Sequence, residues 1–271
     1  MIDNHEKIPI SNYRYTEFIK KGQLKLLCTY AYNVGASTPY ALNLEYNYFF
    51  PHCVIHKCDF NKNPINQVLV TGRGKGNYNR YPYRIKMLGL TLYKKYRPYV
   101  VKFKPDVPYR ARIGDQRTWG DKFIKKLNQY LVVFCDDSNI KTNFTYIFAK
   151  FFEAMSAGSL LLTHNKNTKL YFEKLGFIED EDYMTIDLDK SVDDIMVKIK
   201  SILSPSNREK VDRIRMSGYK KVWENHSVIK RLKDLLGIIH GTDKYSKCED
   251  GINDTNYLVK NYIVQKIEKN Q

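Results

Sequence analysis

The sequence predicts an α/β protein built on a doubly wound, parallel, Rossmann-like sheet, and three features of the stretch 130–176 support this prediction. An apolar run from Leu131 to Cys135 has the length of a buried strand. Apolar side chains at positions 144, 147, 148, 151, 152 and 155 then repeat with the period of a helix. Gly158 ends that helix, and a second apolar run follows from Ser159 to Thr163. Two wholly apolar strands joined by a helix indicate parallel pairing in a sheet covered on both faces.

The segments on either side of this unit continue the alternation of strands and helices. Further strands are predicted at 67–71, 99–103 and, at the edge of the sheet, 183–187. Helices are predicted at 82–96, where Pro82 suits the first helical position, and at 115–130. This alternation is typical of a doubly wound domain.

Two capping boxes introduce the helices of the C-terminal part. Ser191 with Asp194, and Ser206 with Glu209, have the spacing at which a serine and an acidic residue cap a helix start. A third helix is predicted over 226–239, and its inner stripe would consist of Val228, Leu232, Leu235, Leu236 and Ile239.

The turn-rich stretch 59–66 is the best domain boundary in the chain. Three parts are expected, namely an N-terminal remnant, a Rossmann-like domain and a polar tail, at 1–60, 61–240 and 241–271. The remnant would hold a strand at 24–30 and a helix at 39–49, and the tail a terminal helix at 257–267.

The formal net charge of +16 raises the question of nucleic-acid binding. The basic residues are nevertheless spread along the chain without a run of four, and an A/T-rich coding sequence would also enrich lysine. The same positive charge would also attract small anionic ligands, so nucleic acid is the less favoured partner. No apolar run reaches the roughly 20 residues of a membrane span, and the N-terminus lacks a signal-peptide core, so a cytoplasmic protein is expected.

The five cysteines are an odd and scattered set without a CxxC pair, which indicates free thiols in a reducing compartment. His52, Cys53, His56 and Cys58 lie close enough in sequence to suggest a metal site. Zinc sites need tighter paired spacing and a second pair elsewhere, so no metal is predicted.

Ligands of doubly wound sheets bind at the carboxyl ends of the strands. The glycine-rich loop that begins Gly72, Arg73, Gly74 would let a phosphate approach the backbone, with the start of the helix at Pro82 and the side chain of Arg84 nearby. The pattern is not GxGxxG, and a plain loop is the competing interpretation.

The segment Ser138 to Asn143, before the central helix, is a second candidate for a diphosphate. Glu153 lies roughly opposite the aromatic stripe, where it is either a solvated glutamate or an acceptor for ribose hydroxyls. His226 begins the predicted third helix, either as its cap or as a ligand contact. No Ser-His-Asp or Cys-His constellation is present, so catalytic residues stay unassigned.

The block from Lys150 to Leu162, KFFEAMSAGSLLL, resembles the glycosyl transferases group 1 superfamily. Within it, the branch of spore-maturation glycosyltransferases and related viral proteins is most similar. The likeness extends to YPYR at 81–84, LGFI at 175–178, Gly218-Tyr219, and His226 with Arg231. It covers about residues 51–237.

The resemblance implies the C-terminal half of a GT-B fold, which holds a nucleotide-diphosphate sugar without a catalytic metal or other cofactor. Glu153 would then bind the donor ribose. Residues near the diphosphate would be Gly72, Arg73 and Arg84, and the loop from Thr163 to Asn167, with Asn165, would lie near the sugar. The remaining candidate contacts in these motifs are Gly74, Lys150 and His226.

Two departures from the family keep alternative functions open. Many relatives have a second glutamate with seven residues between it and the Glu153 position, where this chain has Thr145. Most of the N-terminal GT-B domain is also expected to be absent from this chain. The first hypothesis is a glycosyltransferase, the second a non-catalytic subunit whose partner chain supplies that domain, and the third a basic nucleic-acid binder.

Overall fold

The computed structural model describes 2–3, 26–29, 46–49, 52–72, 82–103, 120–136, 138–139, 144–145, 149–164, 172–173 and 175–240. Arg73, Gly74, Asn165 and the terminal helix predicted at 257–267 lie outside these residues. The chain divides into two compact units: the smaller holds 1–52, 144–147 and 232–271, and the larger holds 53–143 and 148–231.

The strands in chain order are β1 (Ile2–Asp3), β2 (Leu26–Thr29), β3 (Tyr46–Phe49), β4 (Ile65–Val70), β5 (Val100–Lys102), β6 (Tyr130–Phe134), β7 (Ser138–Asn139), β8 (Phe144–Thr145), β9 (Leu160–His164) and β10 (Met184–Ile186). The helices are α1 (Pro82–Leu90), α2 (Asp121–Asn128), α3 (Ala149–Ser156), α4 (Val192–Leu203), α5 (Arg208–Asn225) and α6 (Val228–His240).

In the smaller unit, β1, β2 and β3 form a parallel sheet in that order. The strand predicted at 24–30 is confirmed as β2. The helix predicted over 39–49 is wrong at its end, because Tyr46 to Phe49 form β3. Tyrosine and phenylalanine favour strands, and this local preference accounts for the difference.

The larger unit contains a five-stranded parallel sheet in the order β10-β9-β6-β4-β5. The predicted α/β class and the predicted edge position of the strand near 184 are confirmed. The residues from Leu131 to Phe134 in the central strand β6, like those from Leu160 to Leu162 in β9, are at most 1% exposed. Both strands are therefore covered on their two faces, as their continuous apolar composition predicts.

The central crossover helix is shorter than its apolar stripe suggests. Gly158 ends it with a φ of +73°, as predicted. Its start is wrong by five residues, because Phe144 and Thr145 are the strand β8 and the helix begins at Ala149. Aromatic and β-branched residues favour strand geometry, and this preference outweighs the helical spacing of Phe144.

The C-terminal helices confirm one capping box and contradict the other. Ser191 Oγ accepts a hydrogen bond of 3.1 Å from the Asp194 amide at the start of α4. The cap predicted at Ser206 is wrong, because Pro205 begins a 3₁₀ turn that places Asn207 at the N-cap of α5. The inner stripe predicted for α6 is also wrong at Leu232 and Leu236, which are 53% and 52% exposed.

None of the helices in the described ranges combines the length and the apolarity that crossing a bilayer requires.

Candidate functional site

Buried polar contacts join the carboxyl ends of β4 and β6 to the first turn of α3. Thr71, just after β4, donates a hydrogen bond from Oγ1 to the Phe134 carbonyl at 3.2 Å. The same hydroxyl lies 3.9 Å from the thiol of Cys135, the residue after β6. Cys135 Sγ in turn donates to the Lys150 carbonyl at 3.5 Å. These contacts hold the strand ends and the start of α3 at one edge of the sheet.

Asp136 caps α1 from a different part of the chain. Its carboxylate Oδ2 accepts a hydrogen bond of 2.9 Å from the Arg84 amide in the first turn of that helix. Arg84 Nη2 donates to the Asp136 carbonyl at 3.1 Å. This amide of the α1 start, expected from sequence to face a phosphate, therefore already binds an internal anion. Asp136 is not among the site residues predicted from the sequence, and its partner Arg84 lies 52 residues away along the chain.

Gly72 and Arg84, two of the predicted site residues, are in direct contact. Gly72 has a φ of +102°, in the left-handed region that favours glycine. A Cβ built on it would lie 2.9 Å from Cδ and Nε of Arg84. The Arg84 side chain is only 6% exposed, so a buried guanidinium lies over the end of β4. A glycine is required at position 72 for both reasons.

Glu153 lies on α3 one turn after Lys150 and is half-buried. Burial raises the pKa of Glu153 to about 7, and the positive charge of Lys150 opposes part of that rise. A carboxyl group with this pKa exchanges its proton near neutral pH. The interpretation as an ordinary solvated glutamate does not fit this burial.

The charges around the Cys135 thiol show which predicted residues come together. Burial raises the pKa of Cys135 to about 12, Lys150 and Arg84 act to lower it, and Glu153 acts to raise it. Hydrogen bonds place Thr71, Arg84 and the backbone of Lys150 at the carboxyl end of β6. Glu153 follows Lys150 by one turn on α3. We call this set the strand-end cluster.

The carboxyl end of β9 carries Thr163 and His164, which are 0% and 2% exposed. The imidazole of His164 stacks on the Tyr83 ring with centroids 3.8 Å apart. Tyr83 also donates a hydrogen bond of 2.9 Å from its hydroxyl to Asp189 Oδ1. The start of α1 therefore reaches across the sheet to the ends of β9 and β10. His164 belongs to the loop from Thr163 to Asn167 that is expected near the sugar, whereas Asp189 is not among the predicted site residues.

His226 lies in an aromatic core. It is 3% exposed, its ring stacks on Phe177 with centroids 5.0 Å apart, and Phe152 lies at the same distance. Burial, assisted by the adjacent Arg231, lowers the pKa of His226 well below 6.5. The predicted position at a helix start is wrong, because His226 is the C-cap of α5 and Ser227 Oγ accepts a hydrogen bond from the Lys230 amide at the start of α6.

No group of three or more histidine, cysteine, aspartate or glutamate side chains suited to a metal ion occurs in the part of the chain that the structure describes. Cys53, Cys58 and Cys135 are free thiols.

The family model described as glycosyl transferase-like matches residues 83–237 of the chain. A comparison with curated protein sequences finds no match.

Among solved structures, the fold is similar to the S. aureus TarM G117R mutant in complex with fondaparinux, alpha-GlcNAc-glycerol and UDP, with a TM-score of 0.51 and 11% identity over 83% of this chain and 45% of that one. A second TarM structure gives a TM-score of 0.50 and 10% identity over 87% of this chain and 47% of the other. The pneumococcal O-GlcNAc transferase GtfA gives a TM-score of 0.49 and 13% identity, covering 85% and 48%. The chain thus spans about half the length of these three proteins.

Proposed function

The chain belongs to the glycosyl transferase-like family, and from this membership we propose that it is a glycosyltransferase that binds a nucleotide-diphosphate sugar. It would transfer the sugar to an acceptor without a catalytic metal or any further cofactor. The spore-maturation branch with its viral relatives, and a cytoplasmic location, are further parts of this proposal. UDP is the first nucleotide to test, because it is present in a complex of similar fold.

The strand-end cluster is the observation that supports the proposal. Glu153 is a half-buried carboxyl group, and its two oxygens suit the paired hydroxyls of a ribose. Arg84 and the first turn of α3, which carries Lys150, lie at the same edge, where a diphosphate needs counter-charge. Thr163, at the end of the neighbouring strand β9, would lie beside the sugar.

The proposed reaction breaks the bond between the anomeric carbon and the diphosphate oxygen, and it forms a bond to an acceptor hydroxyl. The acceptor proton passes to a base that the described residues do not identify. Negative charge develops on the departing diphosphate. Arg84 and Lys150 would stabilise that charge in the way that fixed cations stabilise other leaving groups.

Thermal unfolding with UDP, GDP and their sugars tests donor binding. A ligand that binds only the folded state stabilises it by RT ln(1 + [L]/Kd), about 2.7 kcal/mol at a hundredfold excess over Kd. Glu153→Ala should reduce the shift in Tm, whereas Glu181→Ala, which changes an exposed glutamate elsewhere, should not. No shift with any of these ligands at millimolar concentration would contradict the proposal.

A second candidate function is a non-catalytic subunit that works with a partner chain. It is favoured by Thr145, which stands where many relatives have a second glutamate and which lies in β8, outside the helix that carries Glu153. Sugar transfer or donor hydrolysis by the chain alone would exclude this candidate. Donor binding without turnover, restored to activity by a partner, would support it.

A further inference from the structure

A turn between α1 and β5 projects apolar and basic side chains from one surface. Leu92 is 75% exposed and Tyr93 is 57% exposed, although both are large hydrophobic residues. The exposed cations Lys94, Lys95 and Arg97 follow directly. Because β4 and β5 are parallel, this turn lies at the amino edge of the sheet, opposite the strand-end cluster.

Hydrogen bonds and one buried ring hold this turn in place. The Leu92 amide donates to the Gly89 carbonyl at 3.0 Å, and Arg97 Nε donates to the Thr91 carbonyl at 3.3 Å. Tyr96 is only 6% exposed and donates from its hydroxyl to Asp193 Oδ1 at 3.3 Å. The turn is therefore anchored at Tyr96, and its exposed side chains are presented by an ordered backbone.

Helix α4 extends the same surface. Lys200 Nζ lies 5.3 Å from the centroid of the Tyr99 ring, and Asp193 accepts from Tyr96. Val197 lies one turn from each of these two residues on the helix, so it faces the same side. Val197 is 67% exposed. We call Leu92, Tyr93, Lys94, Lys95, Arg97, Val197 and Lys200 the amino-edge surface.

The cations of this surface are only partly offset by the carboxylate of Asp193, whose charge acts on Lys95. In the described ranges, Lys94, Lys95 and Arg97 form no ion pair within 4.0 Å. Lys95 instead lies 4.7 Å from the centre of the Tyr96 ring, a cation–π contact that leaves its charge available. The surface thus combines positive charge with apolar groups that water solvates poorly.

We propose that the amino-edge surface binds the face of an anionic lipid bilayer. Leu92 and Tyr93 would enter the boundary between headgroups and acyl chains, where leucine and the amphipathic ring of tyrosine are stabilised. Lys94, Lys95 and Arg97 would lie at the level of the acidic headgroups. A nucleic acid would use the cations but would not account for two apolar side chains at the front of the surface.

Co-sedimentation of the full chain with vesicles tests this proposal. The chain should bind weakly to vesicles of phosphatidylcholine alone. A much larger fraction of it should bind to vesicles with about one-third phosphatidylserine. Each cation contributes about fivefold to such partitioning at moderate salt, so Lys94→Gln/Lys95→Gln should reduce binding about twenty-five-fold. Leu92→Ser/Tyr93→Ser should also reduce vesicle binding. Its effect should persist at high salt, where the contribution of charge is screened.

Two matched variants control for charge and for apolar exposure. Lys210→Gln/Lys220→Gln removes two exposed lysines from α5, and Ile178→Ser removes an apolar side chain that is 49% exposed and precedes Glu179. Neither should change vesicle binding, and both leave the proposed donor site untouched.

Equal losses in test and control variants would overturn the proposal. Binding to a short DNA duplex that needs Lys94 and Lys95, with no binding to acidic vesicles, would also overturn it. UDP binding is measured separately and does not depend on the outcome.

Discussion

The Glu153 carboxyl group makes the stability of the fold depend on pH in a direction that can be measured. Its pKa is raised from 4.5 to about 7 in the folded protein. Below about pH 4.5 the folded and unfolded states both hold the proton. As the pH rises towards 7, the unfolded state loses that proton first, so the free energy of unfolding falls. Above about pH 7 both states are ionised, and the loss is complete.

The replacement Glu153→Gln removes this titration and retains the shape of the side chain. A pKa difference of about 2.5 units corresponds to about 3 kcal/mol, and the partial exposure of Glu153 makes this an upper bound. The glutamine variant should therefore be more stable than the native protein near pH 8, by up to about 3 kcal/mol. Near pH 4.5 the two proteins should be equally stable, because glutamine resembles a protonated glutamate.

Urea unfolding at several pH values measures this difference directly. Glu181→Gln serves as the control, because it makes the same chemical change at an exposed side chain. A stability difference for Glu153→Gln that is constant between acid and alkaline pH would refute the reasoning. So would a variant that is less stable than the native protein near pH 8.

Three further substitutions test the site and its supports. Gly72→Ala should destabilise the fold by roughly 1–3 kcal/mol in urea unfolding, because the added Cβ meets Arg84 at a positive φ, whereas Gly89→Ala has open space and should be neutral or stabilising. Asp136→Ala should cost about 1 kcal/mol or more through loss of the α1 cap, and no loss in the same measurement would contradict that role. The low pKa of His226 means that the unfolded state takes up the proton first, so stability should fall as pH drops below about 6.5. His226→Phe should flatten that acid limb in thermal unfolding, and an unchanged limb would place its origin elsewhere.

The sheet could be predicted because each strand is recognisable from the apolar composition of its own residues. Continuous apolar runs at 131–135 and 159–163 correspond to strands buried on both faces, and each prediction differs from the observed strand by one residue at either end. The start of the central helix is harder to predict than the strands. The spacing of apolar residues extends that helix back to Phe144, where a strand forms instead.

Parts of the candidate site could not be found from sequence because they depend on contacts between distant segments. Asp136 looks like an ordinary polar residue after a strand, and only the folded chain brings its carboxylate to Arg84. The sequence around His226 predicts a helix start, whereas packing between Phe152 and Phe177 determines the environment of its ring. The close contact at Gly72 could be predicted from sequence, since close approach to the backbone is a common reason for a glycine after a strand.

The hydrogen bond between Asp136 and the Arg84 amide also bears on the order in which the protein assembles. Helix α1 has nine residues, fewer than an isolated helix needs to persist in water. Its cap comes from Asp136, 52 residues away, which follows the strand β6 that pairs with β4. We expect the amides of α1 to exchange with deuterium together with those of β6, as one cooperative folding unit.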